Sequence, residues 1–159
     1  MKICISCGSG GHLSQILEIM DAFEGHEYFF VLVASEVTEN IDLGNVIYIK
    51  KPPKPLKFLY INLHKIQLIM YYLSLVPSTF RILKERPNVI LGHGGEASLI
   101  LFYLGKIFRI KLIYIETVER IKELSGTGKL VYPLTDLFIV QSKELQKKYE
   151  KSVYWGKII

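Results

Sequence analysis

The stretch Lys2-Ile3-Cys4-Ile5-Ser6-Cys7-Gly8-Ser9-Gly10-Gly11-His12-Leu13 decides the fold. Its first half is apolar or small at consecutive positions, the pattern of a strand buried on both faces. Gly8-Ser9-Gly10-Gly11 ends that strand, and Leu13, Ile16, Leu17, Met20 and Phe23 then recur at helical spacing, which predicts a helix over Leu13–Phe23. Working outward, the same texture predicts strands at Tyr28–Ala34, Val46–Ile49, Val89–Leu91, Leu112–Ile115, Leu137–Val140 and Val153–Trp155. Helices are expected at Ala97–Phe108 and Lys143–Tyr149. Strands apolar on both faces and alternating with helices imply an α/β, Rossmann-like parallel sheet covered on both sides. A chain of 159 residues has room for one such domain.

A second glycine loop, Gly92-His93-Gly94-Gly95, follows Val89–Leu91. Both loops fall at strand C-termini, where open α/β sheets bind ligands. The first lacks the third glycine of a dinucleotide fingerprint, having Leu13 there. Gly126-Thr127-Gly128-Lys129 is not a P-loop, because Glu123 holds the first glycine position and Leu130 replaces the hydroxyl that would hold Mg²⁺. What the first loop offers is bare N–H groups at a helix start, which suit a phosphate or diphosphate. His12 sits at that positive end, which favours the neutral imidazole. It reads either as a general base toward a hydroxyl or as a packing residue, and His93 carries the same two readings. His26 and His64 read as surface residues. Glu116 ends a strand and is expected to point into the cleft, to orient hydroxyls or take a proton; its alternative is to complement a helix dipole.

Cys4 and Cys7 form a C-x-x-C pair without a second pair to complete a zinc site, and they lie in a strand, so buried reduced thiols are expected. Only three Asp occur (Asp21, Asp42, Asp136), with no Asp-x-Asp and no His-x-x-x-His, so neither metal nor cofactor is expected.

The formal charge is +5, but it is unevenly held. Leu43 to Lys84 contains seven Lys and Arg and no acid, which leaves −2 on the rest. Lys50, Lys51, Lys54 and Lys57 are followed by Phe58 and Tyr60, with Tyr71 and Tyr72 further on. The longest uncharged run, Ile66 to Phe80, is interrupted by Pro77 and falls short of the roughly 20 residues a spanning helix needs. Residues 50–84 therefore read as a basic amphipathic segment meeting an anionic membrane surface, with a core helix wet on its lysine face as the plainer alternative. Met1-Lys2 leads straight into the first strand, so the expectation is a cytoplasmic protein, peripheral on the inner face of the cell membrane, with no nucleic acid as partner.

Gly8-Ser9-Gly10-Gly11-His12, Tyr114-Ile115-Glu116-Thr117-Val118-Glu119-Arg120-Ile121, the run Leu124 to Gln141 and Tyr154-Trp155-Gly156 together resemble the Alg14-type family of oligosaccharide and polysaccharide biosynthesis proteins. The resemblance spans essentially the whole chain. It implies the membrane-associated, acceptor-side subunit of a two-part glycosyltransferase, with a prokaryotic member acting in capsule or exopolysaccharide synthesis. The fold implied is the N-terminal half of a GT-B glycosyltransferase, the UDP-sugar pocket belonging to a separate donor-binding partner subunit. The acceptor implied is a polyprenyl-diphosphate-linked sugar. Its diphosphate would sit on Gly8, Ser9, Gly10, Gly11, Gly94 and Gly95; His93, Arg120 and Ser125 would line the acceptor cleft; His12 and Glu116 would be the catalytic candidates. GT-B chemistry typically needs no metal. Two rivals stand beside this reading: a non-catalytic anchor or scaffold that localises and stabilises its partner, and a soluble nucleotide-binding protein, which the failed fingerprints disfavour.

Overall fold

The structure, a computed structural model, describes residues 1–158 apart from 36–37, 39, 51–60 and 96, and leaves aside the side chains of 61–65, 68 and 97. Seven parallel strands form one sheet: β1 (Lys2–Cys7), β2 (Glu27–Val33), β3 (Val46–Ile49), β4 (Val89–His93), β5 (Lys111–Ile115), β6 (Leu137–Val140) and β7 (Ser152–Tyr154). Their order is β3-β2-β1-β4-β5-β6-β7. The helices are α1 (Gly11–Leu17), α2 (Ile61–Lys84), α3 (Ala97–Ile107), α4 (Gly126–Val131) and α5 (Lys143–Lys148), with a short 3₁₀ turn at Met20–Phe23. The expected Rossmann-like fold is therefore present, every expected strand included.

Alternation along the strands divides the core in two. Ile3, Ile5 and Cys7 of β1 point with Phe30, Leu32, Leu91 and Ile115 toward Leu13 and Ile16 of α1 and toward Phe23. Cys4, Phe29, Val31, Ile90 and Leu112 point the other way, onto Tyr71, Leu75 and Ile82 of α2 and Leu101 and Phe102 of α3. Burial pushes the Cys7 thiol up to about 12 and raises that of Cys4 as well, so both stay protonated and unbridged.

Several elements differ from expectation. The helix expected over Leu13–Phe23 stops at Leu17 and resumes as the 3₁₀ turn, which keeps Ile16 and Phe23 on the core. Pro77, which interrupts the uncharged run, lies inside the continuous helix α2. Pro77 has no N–H to donate, and the neighbouring hydroxyls of Ser74 and Thr79 bond back to the carbonyls of Tyr71 and Leu75. Tyr71 is buried and its hydroxyl donates to the Lys50 carbonyl, so it is a core residue and not part of a membrane-facing surface. Helix α4 forms at Gly126–Val131, where the sequence predicts no helix.

Candidate active site

The strand order reverses between β1 and β4, and that is where the two glycine loops meet. Cys7 pairs with His93 across the two strands, and the Gly8 N–H donates to the His93 carbonyl at 3.3 Å. The approach is too close for side chains. A Cβ on Gly95 would lie 2.9 Å from the Gly8 nitrogen, and Gly95 has φ +71°. A Cβ on Gly8 would lie 2.7 Å from His12 Cδ2, and one on Gly94, at φ +61°, would lie 2.5 to 2.8 Å from the Cε1, Nδ1 and Nε2 atoms of the same ring. The imidazole of His12 therefore occupies space that two glycines vacate.

Gly8, Ser9, His12, Gly94 and Gly95 form one wall of a cleft of about 560 Å³. The opposite wall comes from Thr117, Glu119, Arg120 and Ser125 after β5. Gly10 and Gly11 are exposed beside it, Gly10 taking the N-cap of α1 at φ +67° without a side-chain cap. The His12 Nδ1 is buried without a partner, so Nε2 is the ring nitrogen left for the cleft. A slightly larger cavity, about 620 Å³, lies at the other end of the sheet among Phe80, Lys84, Arg86, Phe108 and Arg109. It is lined by no carboxylate or imidazole, so the glycine-lined cleft is the candidate site.

Two expected site residues sit differently. Glu116 is wholly buried and does not line the cleft. Its Oε1 accepts from the Thr117 N–H at 3.0 Å, and its Oε2 accepts from the Ser125 N–H at 2.9 Å and the Ser125 hydroxyl at 3.1 Å. A buried carboxylate needs such donors, and here they pin the 117–125 loop to the start of α4. Ser125 also caps α4 by accepting from the Gly128 N–H at 2.9 Å, and Gly128 leaves room for the carboxylate. His93 is likewise fully buried, beneath its own loop and outside the cleft lining. Its Nδ1 lies 2.9 Å from the Ile115 carbonyl, which can only accept, so Nδ1 carries the proton. Burial lowers its pKa to about 4. Lys50 is exposed, whereas Lys51, Lys54, Lys57, Phe58 and Tyr60 lie outside the described residues.

Sequence reasoning missed a polar clasp behind the site. Gln141, at the end of β6, donates to the Glu116 carbonyl and to Gln15 of α1, and accepts from the Ile158 N–H at 2.7 Å. Gln15 in turn accepts from the Val118 N–H. A buried glutamine just past an apolar strand was the available signal.

The family described as "Oligosaccharide biosynthesis protein Alg14 like" matches residues 3–158. The chain belongs to the Alg14 family. Among its relatives is the UDP-N-acetylglucosamine transferase subunit ALG14 of Debaryomyces hansenii, 30% identical over 183 residues, covering 99% of this chain and 76% of that one. The Homo sapiens protein of the same name is 27% identical over 182 residues, covering 100% of this chain and 83% of its own length. Solved structures with this fold include Acinetobacter baumannii MurG, with a TM-score of 0.63 at 12% identity over 87% of this chain and 40% of that one. A UDP-GlcNAc 2-epimerase from Neisseria meningitidis reaches a TM-score of 0.69 at 15% identity, over 99% and 47%. The chain thus spans about half the length of these solved structures. At such identities the likeness is one of fold, and a fold shared with an epimerase does not choose a reaction.

Proposed function

We propose that this Alg14-family chain is the acceptor-binding subunit of a bipartite glycosyltransferase that works at a membrane surface. The observation that carries the reading is the meeting of two glycine loops around His12 at the switch point of the sheet. The N–H groups of Ser9, Gly10 and Gly11 and the Arg120 side chain suit the diphosphate of a polyprenyl-diphosphate-linked sugar. The donor half would be a separate subunit binding a UDP-sugar, as the word "subunit" in the relatives' names supports. Those names also favour N-acetylglucosamine as the sugar transferred and lend nothing to a capsule or exopolysaccharide role.

In the reaction proposed, the acceptor hydroxyl oxygen attacks the anomeric carbon of the donor. The bond from that carbon to the UDP oxygen breaks, UDP leaves with the electron pair, and the hydroxyl proton passes to His12 Nε2. Holding acceptor and donor in one cleft supplies much of the acceleration. Glu116, with both oxygens occupied, keeps the far wall in place rather than taking the proton. The test is His12→Ala in the assembled complex. Transfer should fall by about 10²- to 10⁴-fold while the two chains still co-purify; unchanged turnover would favour the scaffold reading, in which the chain only anchors its partner.

The membrane contact is assigned to α2 and α3. Ile66, Ile69, Met70 and Leu73 recur at helical spacing on one face of α2, each more than half exposed, opposite the buried Tyr71, Leu75 and Ile82. Phe80 continues the stripe to Phe108, edge to face at 5.9 Å, beside the exposed Ile107. An apolar surface of this continuity marks an interaction site. At its foot Lys84, Arg86 and Arg109 line the second cavity, and none of the three joins an ion pair among the described residues. Apolar stripe and cations together fit a bilayer carrying anionic lipid. Among the described residues no helix is long and apolar enough to cross a membrane. Sedimentation with anionic vesicles should be lost in Ile69→Asp/Leu73→Asp and weakened by salt; binding unaffected by both would reject this face.

A further inference from the structure

We propose that His93 is the positioning residue that sets the tautomer of His12. The proposal rests on His12 being the proton acceptor. Sugar chemistry at Nε2 requires that nitrogen to hold a free lone pair, so the ring proton must reside on Nδ1. In the structure His12 Nδ1 is buried and lacks any hydrogen-bond partner. Left so, nothing would hold the proton there.

The partner is next to it. The His93 ring meets the His12 ring edge to face, with centroids 5.3 Å apart and planes at 81°. The His93 Nδ1 proton is committed to the Ile115 carbonyl, so its Nε2 is a bare acceptor, and that atom too is buried without a partner. Buried polar atoms are almost always paired. A donor-capable nitrogen and an acceptor nitrogen on touching rings, both unpaired, satisfy each other after a small turn of the His12 ring. Gly94, having no Cβ, is what lets the His12 ring lie this deep in the loop. The result is a line from the Ile115 carbonyl through His93 to His12, with His12 Nε2 bare toward the cleft. When Nε2 gains the acceptor's proton, the Nδ1–H of the imidazolium donates to His93 in a charge-assisted bond, which is stronger than the neutral one. Because β4 holds His93 in register with β5, the whole line is anchored in the sheet rather than in a loop.

The experiment is ¹⁵N–¹H long-range correlation NMR of histidine-labelled chain at neutral pH, paired with transfer assays of the assembled complex. In the native chain His12 should be the Nδ1–H form. His93→Phe keeps the ring's bulk but removes the acceptor, and should shift His12 toward the Nε2–H form and lower kcat by about 10-fold or more, with the acceptor KM little changed. His93→Gln offers a donor to Ile115 and an acceptor to His12, and should restore the tautomer and most of kcat. A native His12 in the Nε2–H form, or one unmoved by His93→Phe in a folded chain, would overturn the proposal. If instead the tautomer responds as expected but His12→Ala transfers normally, the positioning geometry stands and the assignment of His12 as proton acceptor fails.

Discussion

His12 owes its place to residues without side chains. Gly8 and Gly94 each stand where a methyl group would strike its ring, and Gly94 does so at a positive φ. Gly94→Ala therefore meets two penalties, and should destabilise the fold by about 1–3 kcal/mol, read in urea titrations, while the displaced imidazole costs the complex its transfer activity. His93 offers a pH signature. Its folded pKa, near 4, lies below the ordinary 6.5 because burial disfavours the charged ring. Between those values the unfolded chain binds the extra proton, so stability rises with pH from about 4 to 6.5 and is lost as pH falls through that window, by up to about 3 kcal/mol. His93→Gln should flatten this part of the profile in denaturation midpoints followed from pH 4 to 7; an unchanged slope would place the titration elsewhere. The location of His12 at the helix start was legible in sequence. Its clamp was not, because the second glycine loop, more than 80 residues away, closes on it only when β4 pairs with β1.

At the scale of elements, the strands were legible because burial on both faces writes a continuous apolar run. Helix α4 was hidden for the opposite reason. Gly126-Thr127-Gly128 are poor helix formers, and the element exists because Ser125 caps it and Glu116 braces its first turn. Glu116 is buried rather than aimed into the cleft, and a carboxylate at a strand C-terminus gives no sign in the sequence of the donors that surround it. Glu116→Gln keeps the shape but turns an amide toward one of those donors. A loss of about 1–3 kcal/mol in stability is expected, together with an acceptor KM that rises more than kcat falls, because the far wall loosens while His12 is untouched. A loss confined to kcat would return Glu116 to the chemistry. On the outer side of the same loop, Glu123 pairs with Lys148 and Lys129 and accepts from Tyr149, which pulls its carboxyl down to about 2. That exposed cluster steadies the loop above pH 4.5 and is lost as pH falls toward 2, more readily in high salt.

For the whole molecule, what the structure describes of the acid-free run is its two ends, Leu43 to Lys50 and α2. The acid-free run ends in α2, and the uncharged residues within it split between a core face and an exposed stripe. Tyr71, one of the aromatics of the basic segment, serves the core, because composition counts aromatics without telling which side of a helix they occupy. The sheet puts the glycine-lined cleft at the C-terminal ends of its strands and the cationic cavity at the other end, with the apolar side of α2 and α3 between them. On the proposed reading, a bilayer lying along that side would hold a lipid-linked acceptor near the cleft, and the exposed rim of the cleft would face a donor subunit. The central claim is that this chain supplies half of a glycosyltransferase. It is tested most directly by measuring transfer of labelled N-acetylglucosamine from UDP-N-acetylglucosamine to a polyprenyl-diphosphate-linked sugar, using the chain alone, the donor-binding partner alone, and the two combined. Transfer is expected only from the combination; full-rate transfer by either chain alone would contradict it.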